Sequence, residues 1–120
     1  MAEKIVGDTR SAIIEAIGPL TMTTSDIILT VSGSDIDQRP WESICYTIIA
    51  SAADALWQVF ASNDDDFSDE VAITSITTVP VGTAAAYTDD VAPYSYYRVK
   101  TKTADTTPSV ITLYGVAKGG

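Results

Sequence analysis

The chain has 120 residues, 46% of them hydrophobic and 19% charged, with a formal net charge of −9. That size and composition fit one folded domain with its own core and exclude a disordered chain. So acidic a chain does not bind nucleic acid through counterion release and is repelled by anionic membranes, so neither partner is expected.

Residues 1–25 read as an N-terminal arm ahead of a domain spanning residues 26–118. Met1 to Asp8 carries acidic residues and no long apolar stretch, so no cleaved secretory signal is expected. Within the arm, Ala12, Ile13, Ala16 and Ile17 sit at helical spacing behind a capping Asp8 or Thr9, and Gly18-Pro19 would stop such a helix. The β-branched Ile13, Ile14 and Ile17 equally suit an extended edge segment. Either way, Ile13, Ile14 and Ile17 are candidate contacts with a neighbouring subunit.

From Asp26 onward the pattern is β. The sequence predicts strands at Ile27–Val31, Ser43–Ala50 and Ala55–Ser62. In the second, Ile44, Tyr46, Ile48 and Ala50 share one face. In the third, Trp57, Val59 and Ala61 share one, with Leu56, Gln58 and Phe60 on the other. A fourth candidate is Val71–Val79, ended by Pro80-Val81-Gly82, and Thr83–Val91 reads as a loop rich in Ala, Thr and Asp. Tyr94–Thr103 alternates most clearly: Tyr97, Val99, Thr101 and Thr103 oppose Arg98, Lys100 and Lys102. Ser109–Ala117 is the last strand. Six strand candidates without interleaved helices, and sixteen threonines, predict an all-β fold. The expected architecture is an antiparallel, jelly-roll-like β-sandwich.

Chemistry is hard to place on this chain. It has no histidine, which removes triad catalysis and the usual zinc sites, and its one cysteine, Cys45, lies in an apolar run and reads as a buried small hydrophobe. Neither an enzyme nor a cofactor is expected. Asn63, Asp64, Asp65, Asp66, Asp69 and Glu70 form the densest acidic group and hold five of the sixteen acids. It lacks the EF-hand spacing and glycine and reads as a solvated turn, with Ca²⁺ as the alternative. The row Arg98, Lys100 and Lys102 reads as a solvated face, or as a contact for an acidic surface such as Asp64, Asp65 and Asp66 of a second subunit. Trp41, Tyr94 and Tyr96 are candidates for a sugar platform, although rings near strand ends usually pack.

Two segments carry a resemblance. Trp57-Gln58-Val59-Phe60-Ala61-Ser62-Asn63-Asp64 is followed by Phe67, and Ala92-Pro93-Tyr94-Ser95-Tyr96-Tyr97-Arg98-Val99-Lys100 precedes the closing Ser109–Gly115 strand. Together they resemble discoidin-like (coagulation factor 5/8 type C) β-sandwich modules, in the compact form found among structural proteins of tailed-bacteriophage virions. The resemblance spans roughly residues 41–118. It implies a non-enzymatic virion protein, foremost a capsid decoration protein that self-associates and binds the major capsid or another virion protein. The alternative is a carbohydrate-binding module of a tail, fibre or cell-surface protein.

Overall fold

The computed structural model describes residues 11–22, 28–32, 34–37, 43–89 and 93–118, with the backbone alone of 11–16, 37 and 118. The capping Asp8 or Thr9 and Trp41 lie outside the described residues. The described chain is all β: β1 (Ser11–Met22), β2 (Leu29–Thr30), β3 (Ile36–Asp37), β4 (Ser43–Ser51), β5 (Ala55–Ser62), β6 (Val71–Ala72), β7 (Thr77–Val79), β8 (Ala84–Asp89), β9 (Tyr96–Thr103) and β10 (Ser109–Lys118).

One sheet runs β1-β10-β4-β8. The other runs β2-β9-β5-β6, with β3 also on β9 and β7 also on β5. Counting β2/β3 and β6/β7 as two interrupted strands leaves eight strand positions, four in each layer. All the pairings are antiparallel, and they nest: β1 with β10, β2/β3 with β9, β4 with β8, β5 with β6/β7. A long hairpin rolled up in this way is a jelly roll.

Alternation explains the central strands. Ile44, Tyr46, Ile48 and Ala50 of β4 and Ile111, Leu113 and Ala117 of β10 are buried from one side. Ala55, Trp57, Val59 and Ala61 of β5, with Tyr97 and Val99 of β9, meet them from the other. Each fully buried large apolar side chain contributes about 1.5–3 kcal/mol. Thr101 and Thr103 complete the inner face of β9 at little polar cost, because Thr101 Oγ1 donates to the Leu56 carbonyl at 2.6 Å and Thr103 Oγ1 to that of Thr107 at 2.5 Å.

One alternative is decided and two expectations change. Residues 11–22 are a strand and not a helix: β10 offers a long open edge, and the β-branched Ile13, Ile14 and Ile17 suit the ladder that forms along it. The register breaks between Ile14 and Ile17 and again between Ile17 and Leu20. At Gly18, φ is +113° and an added Cβ would run into the Ile111 carbonyl oxygen, so the break requires glycine. The expected strand 71–79 is cut in two because Thr74 enters the ladder with its side chain. Its Oγ1 accepts the Val59 N–H at 3.0 Å and its carbonyl accepts Gln58 Nε2 at 2.8 Å. Finally, the expected loop 83–91 contains β8, which lines up against β4 from Ile44↔Asp89 to Ile49↔Ala84.

Three connections between the layers are tied together around Asp54. Its carbonyl accepts the Ala104 N–H at 3.0 Å and its Oδ1 accepts the Val81 N–H at 2.7 Å. Beside it, Ser109 Oγ donates to the Ala53 carbonyl at 2.7 Å.

Candidate assembly surface

Among the described side chains, the outer face of β10, β4 and β8 carries no charge; Lys118 ends β10 in the ladder opposite Ser43. β4 presents Ser43, Cys45, Thr47, Ile49 and Ser51 there, β10 presents Val110, Thr112, Tyr114 and Val116, and β8 presents Ala84, Ala86 and Thr88. The register sets these side chains in rows across the sheet: Thr112–Ile49–Ala84, Tyr114–Thr47–Ala86 and Val116–Cys45–Thr88. Ile49 is 37% exposed and Tyr114 43%. On a chain of net charge −9, three adjacent strands whose outward side chains include no carboxylate are a place where two copies can meet without like-charge repulsion.

The opposite sheet is finished differently. Arg98 Nε donates to Glu70 Oε2 at 2.6 Å and Lys100 Nζ to Glu70 Oε1 at 2.7 Å, with all three side chains largely shielded. The Arg98 guanidinium also lies 4.0 Å over the Phe67 ring, and the Lys100 ammonium 4.3 Å over Phe60. The basic row is thus joined to the acidic segment of its own chain, through Glu70. Burial pushes the Glu70 carboxyl up, but the hydrogen bonds and charges of Arg98 and Lys100 outweigh it and hold the pKa below the ordinary glutamate value. The stabilisation from this pairing is therefore full above the ordinary glutamate range and is lost as pH falls through the lowered value. Glu70→Gln is expected to cost about 1–2 kcal/mol at neutral pH, since it leaves two shielded cations unpaired. It should also flatten the acid limb of the stability profile, which urea melts at several pH values would show. An unchanged acid limb would mean that the pairing does not persist in solution.

Asp64, Asp65 and Asp66 sit at the exposed tip of the loop after β5. The loop is held by its own side chains. Ser62 Oγ bonds Asp69 Oδ1, which also accepts the Asn63 N–H at 3.2 Å. Asp64 Oδ2 accepts Ser68 Oγ at 2.7 Å, and Asp66 Oδ1 accepts the Ser68 N–H at 2.9 Å. The Ser62 hydrogen bond is the chief cause of a lowered Asp69 pKa. Phe67, at φ 58°, turns inward and is buried beside Tyr96. These carboxylates act as turn formers. Among the described residues no group of three or more His, Cys, Asp or Glu is placed to hold a metal ion.

Of the other candidates, Ile17 packs against the core together with Leu20 and Met22. Ile13 and Ile14 lie opposite Val116 and Gly115 in the ladder. Tyr94 makes an edge contact with Tyr97 and packs on the core, and Tyr96 leans on Phe67, so neither ring is set out as a flat sugar platform. Cys45 lies on the uncharged outer face of β4, where Thr88 Oγ1 donates to its sulfur at 3.4 Å, so it is not the fully buried hydrophobe expected. Sequence reasoning missed this face because it depends on which strands become neighbours; the signal was the absence of charge at every second position of β4 and, from Val110 to Val116, of β10.

The fold class is therefore an all-β jelly-roll sandwich. No protein-family model matches the chain and no curated protein does. Among solved structures, it is similar to the SPBc2 prophage-derived protein YomS, with a TM-score of 0.58 and 6% identity over 98% of this chain and 100% of that one. It is also similar to a structure described as Bacillus endospore appendages that form disulfide-linked pili, with a TM-score of 0.54 and 9% identity over 99% of this chain and 98% of that one. The tobacco streak virus coat protein is a looser match, with a TM-score of 0.49 and 6% identity over 98% of this chain and 89% of that one. At such identities the likeness shows the fold. Neither YomS nor the appendage structure is described as an enzyme or as a discoidin module.

Proposed function

We propose that this chain is a non-enzymatic structural protein of a phage virion that works by self-association, most specifically as a decoration protein on the capsid shell. The observation that carries the reading is the uncharged outer face of β10, β4 and β8 on an otherwise acidic chain. Support comes from the fold it shares with a prophage-derived protein and with a protein described as forming pili. Those pili are described as disulfide-linked. Here Cys45 alone could link two copies but not a continuous chain, so association beyond a pair rests on surface burial.

The face measures about 14 by 27 Å by strand spacing and rise, so two copies meeting over it would bury roughly 750 Å² in all. That falls short of the roughly 1,000 Å² of a specific contact. A single contact is then weak, and repetition around a shell multiplies it by avidity. The arm 1–25 with Ile13 and Ile14, the loop tip Asp64, Asp65 and Asp66, and Lys102 are the proposed contacts with the shell protein; Ile17 packs on the core of its own chain. Arg98 and Lys100 would join such a contact with one of their two charges offset by Glu70.

Sedimentation velocity over a concentration series tests the self-association. The average mass is expected to rise with concentration and to rise further with salt, because salt screens repulsion between acidic copies and does not weaken an uncharged contact. Tyr114→Glu should oppose it. A monomer at every concentration and salt level would overturn the reading. Mass spectrometry of virions from the host that encodes the chain tests the location, and its absence from them would remove the virion assignment.

A further inference from the structure

An open sheet ends in edge strands, and each edge offers unpaired N–H and C=O groups to another chain unless something blocks it. Among the described residues, three of the four edges are blunted. The β1 ladder is broken twice around Gly18-Pro19, and Pro19 has no N–H to give. On the other sheet, β2/β3 and β6/β7 are pieces of two or three residues. The fourth edge, β8, is six residues long and pairs with β4 without a register break. It has no proline and no lysine, and its outward side chains, Ala84, Ala86 and Thr88, are small, exposed and uncharged.

We infer that β8 is a pairing edge: it joins β8 of a second copy, antiparallel, about a two-fold axis, so that two four-stranded sheets become one sheet of eight strands. The inference rests on the self-association proposed above but gives the pair a different contact, the β8 edge, and leaves the outer face for further assembly. A two-fold pairing of a strand with itself is limited in register. Residues directly opposite must point to the same face, so their numbers must have the same parity. Centring on Ala86 sets Ala86 opposite itself, Ala84 opposite Thr88 and Ala85 opposite Tyr87. This uses the strand nearly end to end. It also leaves the two Asp89 residues about 20 Å apart, well beyond the Debye length in physiological salt. Centring on Tyr87 would bring them to about 13 Å, and centring on Ala85 would shorten the ladder. The small side chains on the outer side let the two backbones approach. The uncharged faces of the two copies then merge into one surface, from β10 of one copy to β10 of the other.

The test is a pair of cysteine variants of the full chain, both in a Cys45→Ser background. In the inferred dimer, the two Cα atoms of residue 86 lie about 4.5–5.5 Å apart, within disulfide reach. Tyr114 lies five strand spacings from its counterpart, about 24 Å away. On mild oxidation, Ala86→Cys is expected to give mostly disulfide-linked dimer, and Tyr114→Cys mostly monomer. Linkage through Tyr114→Cys alone would show that the sheets stack face to face; the β8 inference would be overturned and self-association would stand. If neither variant links while the wild type associates, the inference also fails. If neither links and the wild type is a monomer, both readings fail. Should Ala86→Cys not fold, amide exchange on the wild type decides. Protection of β8 amides should rise with concentration, and unchanged protection in an associating sample would overturn the pairing.

Discussion

Trp57→Ala is expected to destabilise the chain by about 3–5 kcal/mol, a large part of the 5–15 kcal/mol typical of a domain. Trp57 is 5% exposed and belongs to the core cluster. Its strand lies inside the second sheet, with Thr101 of β9 opposite on one side and Thr77 of β7 on the other. Hydrogen-bonded ladders on both flanks keep β5 from collapsing into the space that the indole leaves, so the cavity term adds to the lost transfer energy. Phe60→Ala, on the outer face of the same strand, should cost less than about 1.5 kcal/mol: its ring is half-buried beneath the Lys100 ammonium, and water can refill the site. Urea melts should lower the Trp57→Ala midpoint far more, with m unchanged. Equal losses for the two variants would mean that the inner and outer faces of β5 are wrongly assigned.

The same strand shows how much was readable from sequence. β5 was expected at Ala55–Ser62 and forms there, with Trp57, Val59 and Ala61 inward. The alternation of β4 and β9 was equally plain, because a strand buried on one face must repeat every second residue. β8 was not legible. Ala84-Ala85-Ala86 has little β propensity and no apolar alternation, and it is a strand because β4 needs a partner. The arm was ambiguous for the opposite reason: its apolar spacing fits a helix and its β-branching fits a strand, and only the open edge of β10 decides. In the candidate contacts, the basic row on β9 was visible. Its partner was not, since Glu70 reaches Arg98 and Lys100 only after the chain turns inward at Phe67, where φ is positive. The uncharged face was present in the sequence as a pattern of absences, but it gains meaning only when β10, β4 and β8 are known to be neighbours.

Raising the pH above about 10 is expected to unfold the chain cooperatively, through three tyrosines of the core and its rim. Tyr46 is fully buried, and its hydroxyl donates to the Ser34 carbonyl at 2.6 Å. Burial pushes its pKa well above the ordinary value, and the Asp35 charge adds to this. Burial also raises Tyr97, outweighing the N–H that Tyr97 accepts from Tyr94, and the Asp89 charge adds to the rise. Tyr87, whose hydroxyl donates to Asp89 Oδ2 at 3.2 Å, is pushed up to about 12 by burial first and then by that carboxylate. In each case the folded chain holds the proton more tightly than the unfolded chain. The stabilisation is therefore complete below pH 10 and is lost as pH rises through the folded values, because the unfolded chain can release protons that the folded one cannot. Tyrosinate absorbance and far-UV circular dichroism should change together in one transition. Tyr46→Phe separates the two roles of that side chain. At neutral pH it should cost about 1–2 kcal/mol, because it leaves the Ser34 carbonyl unpaired in the core. Against alkali it should make the loss of stability less steep, since the phenylalanine has no proton to lose. Tyrosines that all titrate near the ordinary value while the fold stays intact would overturn the assignment of Tyr46 and Tyr97 to the interior. A Tyr46→Phe chain with an unaltered alkaline slope would show that Tyr97 and Tyr87 carry the effect without Tyr46.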